Sequence, residues 1–519
     1  MSKRQNASAT ATLQAEERSK VAAVSGKGNA DQPERPAESR GGVDVDGDAD
    51  MGEFEDAFED EIEEEIIVER EEDSDGVEML GEEDGDDDDE EEDEEAAETK
   101  RQVYLPGDQL GEGEVLQVDN SAYHMLHTMS VQWPCLSFDF VPDNLGNSRS
   151  MFPHTMYAVA GTQADRAYKN QVILMKWSQL HRTINDDKND DDKDDEDVND
   201  LDEDPILETK TMRHQGGVNR VRVLQSYQSP LTATWADTGK VHIWDTKKLM
   251  NAFETPGTQV PAAAQQPLFT VASHGHTEGY SMDWSPDGRL LTGDCGSNIY
   301  LTTRRNDTGS NFVADRSSFK GHTASVEDIQ WSPEEASVFA SCSVDQTIKI
   351  WDVRVTNRKF ALEVPGAHDS DINVISWNRK SSYLLASGGD NGDFKVWDMR
   401  KWASDPSGRS TPAAEFKWHR KAITSIEWCP SDESVLAVAG ADDQITLWDL
   451  AVELDAEEEA RHRDAMVGPE GMKRSVPAQL LFIHQGQQNI KELHWHPQIH
   501  GALASTAATG FNIFKTISV

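Results

Sequence analysis

The chain has 519 residues, room for several domains, and its formal charge of −48 at pH 7 is concentrated in two stretches. Residues 44–98 hold 33 acids against one Arg, and residues 186–204 hold 13 against two Lys, so the remainder is close to neutral. Polyanionic appendages on an ordinary surface argue against nucleic acid or an anionic membrane as partner and in favour of basic proteins.

No apolar run reaches the ~20 residues needed to span a bilayer, and residues 1–30 contain no hydrophobic signal core, which predicts a soluble intracellular protein. Four cysteines, Cys135, Cys295, Cys342 and Cys429, fall singly on predicted strands without C-x-x-C spacing. Reduced, buried thiols are expected, and no metal or cofactor.

Residues 1–43 are rich in Ala, Ser, Gly and charge with almost no aromatics, so they bury too little surface to offset the entropy of ordering. Residues 1–100 are therefore read as a disordered, highly acidic N-terminal region. Within it, residues 53–70 interleave Phe54, Phe58, Ile62, Ile66 and Ile67 among acids at helix-like spacing, suiting an amphipathic helix formed on a partner. The run Glu82, Glu83, Asp84, Asp86, Asp87, Asp88, Asp89, Glu90, Glu91, Glu92, Asp93, Glu94, Glu95 has no apolar residue and can act only through charge. The competing reading of this tract is a solvating tail.

From residue 101 to 519 a repeat takes over. Residues 321–354 show it most clearly: apolar runs at 326–331, 338–341 and 347–351, separated by Ser332-Pro333-Glu334-Glu335 and Val344-Asp345-Gln346, read as antiparallel strands. With Gly321-His322 near its start and Trp351-Asp352 near its end, the unit resembles the WD-repeat β-propeller family, whose repeats run about 40–45 residues. One such sheet buries little alone, so units must stack around an axis.

Inner-strand aromatics at Trp284, Trp331, Trp377, Trp428 and Trp495, with residues 219–224 and 133–141 in the same place upstream, count seven blades. The expected fold is all-β, a seven-bladed WD-repeat propeller. Trp-Asp survives at 244–245, 351–352, 397–398 and 448–449, while Trp177, Thr302 and Phe514 mark three irregular blades.

In chain order, residues 103–121 lead in, and residues 122–130 alternate well enough to close the last blade beside residues 511–518. Such closure removes an open sheet edge. Blade one is interrupted by residues 184–204, far too polar for a strand: an acidic insertion, or an expendable loop. His322, Ser341, Asp345 and Trp351 invite a hydrolase reading. The resemblance instead implies a hydrogen-bond network inside each blade, recurring as His368 and Trp397, with Asn391 at the Asp place, and as His419, Asp442 and Trp448, with Val438 for Ser.

Between Trp428 and Trp495 the spacing is 67 residues, against 46–51 for regular neighbours. The surplus lies in an acidic loop, residues 450–475, containing Asp455, Glu457, Glu458 and Glu459 and followed by Leu480-Leu481-Phe482-Ile483-His484. This arrangement, like the entry segment 123–143, resembles histone-binding WD-repeat chaperones, in which the corresponding loop helps clamp a basic helix. The alternative is a surface loop with incidental charge.

The acidic N-terminus, the entry segment, residues 158–164 and the Leu-Leu-Phe-Ile-His loop exit together resemble the glutamate-rich WD-repeat proteins, ribosome-assembly chaperones. That resemblance implies a monomeric, non-enzymatic carrier of a newly made basic large-subunit ribosomal protein, working in the nucleus and nucleolus, shuttling with the cytoplasm and meeting pre-ribosomal particles only indirectly. Histone binding is the second implied role. A third reading, a substrate receptor of a cullin-type ubiquitin ligase, rests on the W-D-x-R boxes at residues 351–354 and 397–400.

Overall fold

A computed structural model describes residues 116–183, 204–226, 230–255, 257–305, 312–404, 410–452 and 476–519. The acidic tract, both acidic insertions and the predicted tail helix lie outside the described residues. The described strands form seven four-stranded antiparallel sheets. Their inner strands are Cys135–Phe140, Val218–Val223, Ser281–Trp284, Val326–Trp331, Ile372–Trp377, Ile423–Trp428 and Glu492–Trp495, each in contact with the next and the last with the first. The chain is thus a closed seven-bladed β-propeller, as the repeat predicts.

Blade seven is built from both ends of the described chain. Its order is Tyr123–Met129, Gly510–Thr516, Ala502–Ala507, Glu492–Trp495, with Leu126 opposite Phe514 and Met129 opposite Phe511. The closing strand presents Met125 and Met129 to blade one, and Tyr123 and Leu126 to the seam of blades six and seven. Full burial of side chains of this size contributes roughly 1.5–3 kcal/mol each.

The buried apolar side chains divide into seven clusters, one per seam between neighbouring blades. This is why second strands read as unbroken runs of small and apolar residues: Leu231–Ala236, Val435–Gly440 and Ala502–Ala507 are buried along their whole length, covered on both faces. At Gly388 the approach is so close that a Cβ would stand 2.5 Å from Ile423 Cγ2. Of the cysteines, Cys135 and Cys342 sit on strands, Cys429 follows one, and Cys295 occupies a turn and is only partly buried, against the expectation. All four are free thiols.

Around the channel, most inner strands offer a side-chain acceptor to a backbone N–H of the next blade. Asp139 accepts from Val223 at 2.7 Å, Asp283 from Trp331 at 2.7 Å and Asp328 from Ile375 at 3.1 Å. Ser376 accepts from Trp428 at 3.2 Å, Glu427 from Trp495 at 3.1 Å and Glu492 from Phe138 at 2.9 Å. Between blades two and three the polarity reverses: Arg220 Nε donates to the Tyr280 carbonyl at 2.5 Å. The indoles of Trp284, Trp331, Trp428 and Trp495 each donate back to a carbonyl of the preceding inner strand. These aromatics therefore staple blade to blade.

Acceptors of this kind bring buried charge that must be compensated. Glu492 receives Arg220 at 2.7 Å and Arg222 at 2.9 Å, and His494 Nδ1 lies 2.9 Å from Glu427. Burial opposes the charged imidazole of His494, but Glu427 and Glu492 outweigh it and push its pKa up to about 10. Burial pushes Asp283 up to about 7.

Deleting residues 122–130 should convert the soluble protein into aggregates or oligomers on size-exclusion chromatography, because it bares the edge of blade seven. His494 keeps its proton in the ring to about pH 10 but in an unfolded chain only to about 6.5, so its stabilisation is complete below 6.5 and lost as pH rises through 10. Glu427→Gln keeps an acceptor for Trp495 and removes a charge that holds the proton. Its melting temperature should begin to fall at lower pH than that of the parent in a pH series from 6 to 10.5.

Candidate protein interface

The Ser, His and Asp of blade four have the geometry of a proton relay. His322 Nδ1 is 2.9 Å from Asp345, His322 Nε2 is 2.7 Å from Ser341 Oγ, and Trp351 Nε1 donates to the same Oγ at 2.8 Å. Burial keeps His322 neutral against the pull of Asp345. Its proton then sits on Nδ1 facing the carboxylate, Ser341 donates to Nε2, and the indole donates to Ser341, so every group is satisfied. Ser341 and the His322 side chain are fully buried, leaving no approach for a substrate.

The network recurs with substitutions. In blade five His368 and Trp397 share Ser387, while Asn391 turns to Asp393 and His368 Nδ1 has no partner. In blade six Val438 does not break the network: Thr446, directly across the sheet from it, takes His419 Nε2 at 3.0 Å and Trp448 Nε1 at 2.8 Å, with Asp442 on His419 Nδ1 at 2.9 Å. Sequence reading missed Thr446, and also the equivalents His214, Thr234 and Trp244 of blade two and His274, Thr292 and Asp294 of blade three. A hydroxyl 18 to 20 residues after the His was the available signal.

The predicted partner-binding residues, from Glu82 to Glu95 and at Asp455, Glu457, Glu458 and Glu459, all lie outside the described residues. What is described is where the acidic insertions are rooted, and both meet the closing strand. The blade-one insertion leaves from Thr183, whose N–H donates to the His124 carbonyl at 3.1 Å and whose hydroxyl accepts from Leu126 N at 2.8 Å, capping the edge of that strand. The loop of blade six has its roots drawn together by Gln479 Nε2 donating to the Val452 carbonyl at 3.1 Å. It returns as the outer strand Leu480–His484, where the Phe482 ring meets Tyr123 edge-on at 5.3 Å and His484 Nδ1 hydrogen-bonds Tyr123 Oη at 2.8 Å.

Four successive residues, 123 to 126, thus touch the flanks of both acidic insertions, and the N-terminal tract joins the ring immediately ahead of them in the chain. The outer strand beside them is unusual: Leu480, Leu481, Phe482 and Ile483 are all half-exposed. An apolar strip flanked by carboxylate-rich loops suits a basic amphipathic helix. Elsewhere, Arg354 and Arg400 of the W-D-x-R boxes are mostly exposed, held by Asp352 at 2.7 Å and Asp398 at 2.8 Å, with Arg400 stacked 3.6 Å from the Tyr383 ring.

Fold and networks together define a WD-repeat propeller whose exposed, chemically distinctive surfaces are suited to binding other proteins. Residues 265–301, 315–352, 361–398 and 410–449 match the family "WD domain, G-beta repeat", and residues 113–181 match the family of histone-binding protein RBBP4 and the CAF1 complex. The chain is 48% identical over 484 residues to ribosome assembly protein rrb1 of Schizosaccharomyces pombe, covering 92% of this chain and 96% of the relative. It is 46% identical over 420 residues to glutamate-rich WD repeat-containing protein 1 of Dictyostelium discoideum, covering 79% and 83%. Histone acetyltransferase type B subunit 2 of Mycosarcoma maydis matches at 27% over 252 residues, 45% of this chain and 55% of the relative. The chain belongs to the glutamate-rich WD-repeat protein family.

Thr446→Val leaves His419 Nε2 and Trp448 Nε1 buried without a partner, and should cost about 1–3 kcal/mol for each unsatisfied group in a denaturant melt. In the opposite direction, Asn391→Asp combined with Asp393→Thr recreates in blade five the Asp345 and Thr347 arrangement of blade four. It should stabilise by about 0.5–1.5 kcal/mol, whereas Asn391→Asp alone sets two carboxylates together and should gain less.

Proposed function

We propose that the protein is a non-enzymatic nuclear chaperone that captures a newly made basic large-subunit ribosomal protein and delivers it for ribosome assembly in the nucleolus, shuttling with the cytoplasm to collect it. The observation that carries this reading is the apolar outer strand of blade six, with the roots of two acidic insertions meeting the closing strand beside it. The name of the fission-yeast relative, a ribosome assembly protein at 48% identity, supports the same direction.

The physical logic is electrostatic capture followed by specific docking. Ribosomal proteins carry Lys and Arg meant for RNA phosphates. Many exposed carboxylates, each weakly attractive, raise encounter rate and local concentration, and salt or a denser polyanion displaces them. The ring edge then selects among basic partners by shape and apolar contact. Released RNA-binding surfaces pass to RNA, so direct nucleic-acid binding by this protein is not required, and a monomer suffices.

A second reading, a histone chaperone, is favoured by the match of residues 113–181 to the histone-binding family. Affinity purification at moderate salt followed by mass spectrometry separates the two: a single stoichiometric ribosomal protein supports the first, a nucleosomal histone set the second. Recovery of a ubiquitin-ligase adaptor instead of either would favour the W-D-x-R boxes as the functional surface.

Neutralising the run from Glu82 to Glu95 with Gln and Asn should lower the association rate of the purified partner and flatten its dependence on salt, since charge acts over about 8 Å at physiological ionic strength. Neutralising Asp455, Glu457, Glu458 and Glu459 beside the ring should act chiefly on dissociation. Stopped-flow binding at several salt concentrations distinguishes these effects, and unchanged rates in the first variant would return the tract to a solvating role.

A further inference from the structure

The seam between blades seven and one holds a feature of opposite sign, unconnected with carboxylate capture. Its rim is made of the loop at residues 141–153 and the turn at residues 496–501, sewn together by three hydrogen bonds. Arg149 N donates to the Gln498 carbonyl at 3.0 Å, Gln498 Nε2 donates to the Asp143 carbonyl at 3.0 Å, and Asp143 N donates to Gln498 Oε1 at 2.9 Å.

Five basic side chains gather along this seam. Arg149 and His154 act electrostatically on His496, Arg149 and Lys515 act on His154, and Arg182 acts on Lys515. The Arg182 guanidinium lies 5.2 Å from the Phe152 ring, which in turn packs 4.3 Å from His154. One carboxylate answers them: Asp143 takes Arg149 Nη2 at 2.9 Å. Lys515 and Arg182 have no ion-pair partner among the described residues, in a chain with 96 acids and 48 Lys and Arg.

Donors without acceptors are the second observation. Arg149 Nε, His154 Nε2 and His496 Nε2 are buried and unpartnered, and the two histidines are each 2% exposed. For His496 the tautomer follows from geometry: Nδ1 accepts the Gln498 N–H at 3.0 Å, so the imidazole proton is on Nε2. Burial, with Arg149 and His154 adding to it, lowers His496 to about 3, so the ring is neutral at pH 7. A buried N–H and a buried guanidinium Nε–H, neighbours along the rim, therefore both lack an oxygen. Ordered water satisfies isolated groups of this kind. Water does not answer the charge of Lys515 and Arg182, and an anion answers both needs.

We propose that the seam of blades seven and one is an oxyanion site, in which Arg149 Nε, His496 Nε2 and the Lys515 ammonium donate to the oxygens of a phosphate or carboxylate group, with Arg182 at its outer edge. Phosphate and carboxylate share the chemistry the site reads, a compact anion with several acceptor oxygens.

The test uses full-length protein and thermal denaturation at pH 7 in chloride, inorganic phosphate or acetate at matched ionic strength. A bound anion raises the melting temperature with saturable dependence on concentration. Phosphate also stabilises proteins by exclusion from their surface, without saturation, so variants supply the reference. Lys515→Gln with Arg182→Gln, both outside the buried donor set, should leave the melting temperature in chloride nearly unchanged and weaken the saturable increment at least tenfold. An equal increment in acetate assigns the site to carboxylates, and a phosphate-only increment to phosphate. Absence of a saturable increment in either anion, or its persistence in the double variant, overturns the proposal and leaves water as the occupant.

Discussion

The molecule depends on the hydrogen bonds that pass around its channel from one inner strand to the next. An inner strand has a neighbour in its own sheet on one side only, so its other backbone edge faces the channel with N–H groups unpaired. Leaving such groups buried costs as much as losing hydrogen bonds outright. Asp139, Asp283, Asp328, Ser376, Glu427 and Glu492 answer them with side-chain oxygens, and the inner-strand indoles reply in the opposite direction. Satisfying one blade therefore requires the next to be in place, which is how seven marginal sheets become one ring.

Two populations of acid follow, with different physics. Those at the channel are buried and compensated by Arg220, Arg222 and His494, so they contribute to closure and little to the outer field. Those that give the chain its charge lie in the tract and insertions outside the described residues. The ring balances its own carboxylates and serves as a mount on which surplus negative charge is hung. Carboxylates on extended, hydrated segments keep the reversibility that capture and release of a basic cargo demand.

The blade networks are tolerant where the inner ring is not. A hydroxyl can come from the second strand, as Ser341 and Ser387 do, or from the third, as Thr446 does, because in an antiparallel sheet residues directly opposite share a face. Blade three omits the indole altogether and keeps His274, Thr292 and Asp294. Such drift suits groups whose task is to leave no polar atom unpaired, and the burial of Ser341 and His322 removes them from any chemistry with an outside molecule.

By itself the sequence determined the number of blades, the closing strand, the position of the insertions and the family, because these are written in period and local alternation. A Trp every 46 to 51 residues and a two-residue alternation are short-range signals that survive without knowledge of neighbours. Only the tertiary structure decided which residues meet across blades. That Thr446 stands in for Val438, that Glu492 serves Phe138 354 residues away, and that residues 123 to 126 touch the flanks of insertions at 184 and 453 are products of ring closure. The donors at the seam of blades seven and one were illegible for the same reason: Arg149, His154, His496 and Lys515 become neighbours only when the last blade closes on the first.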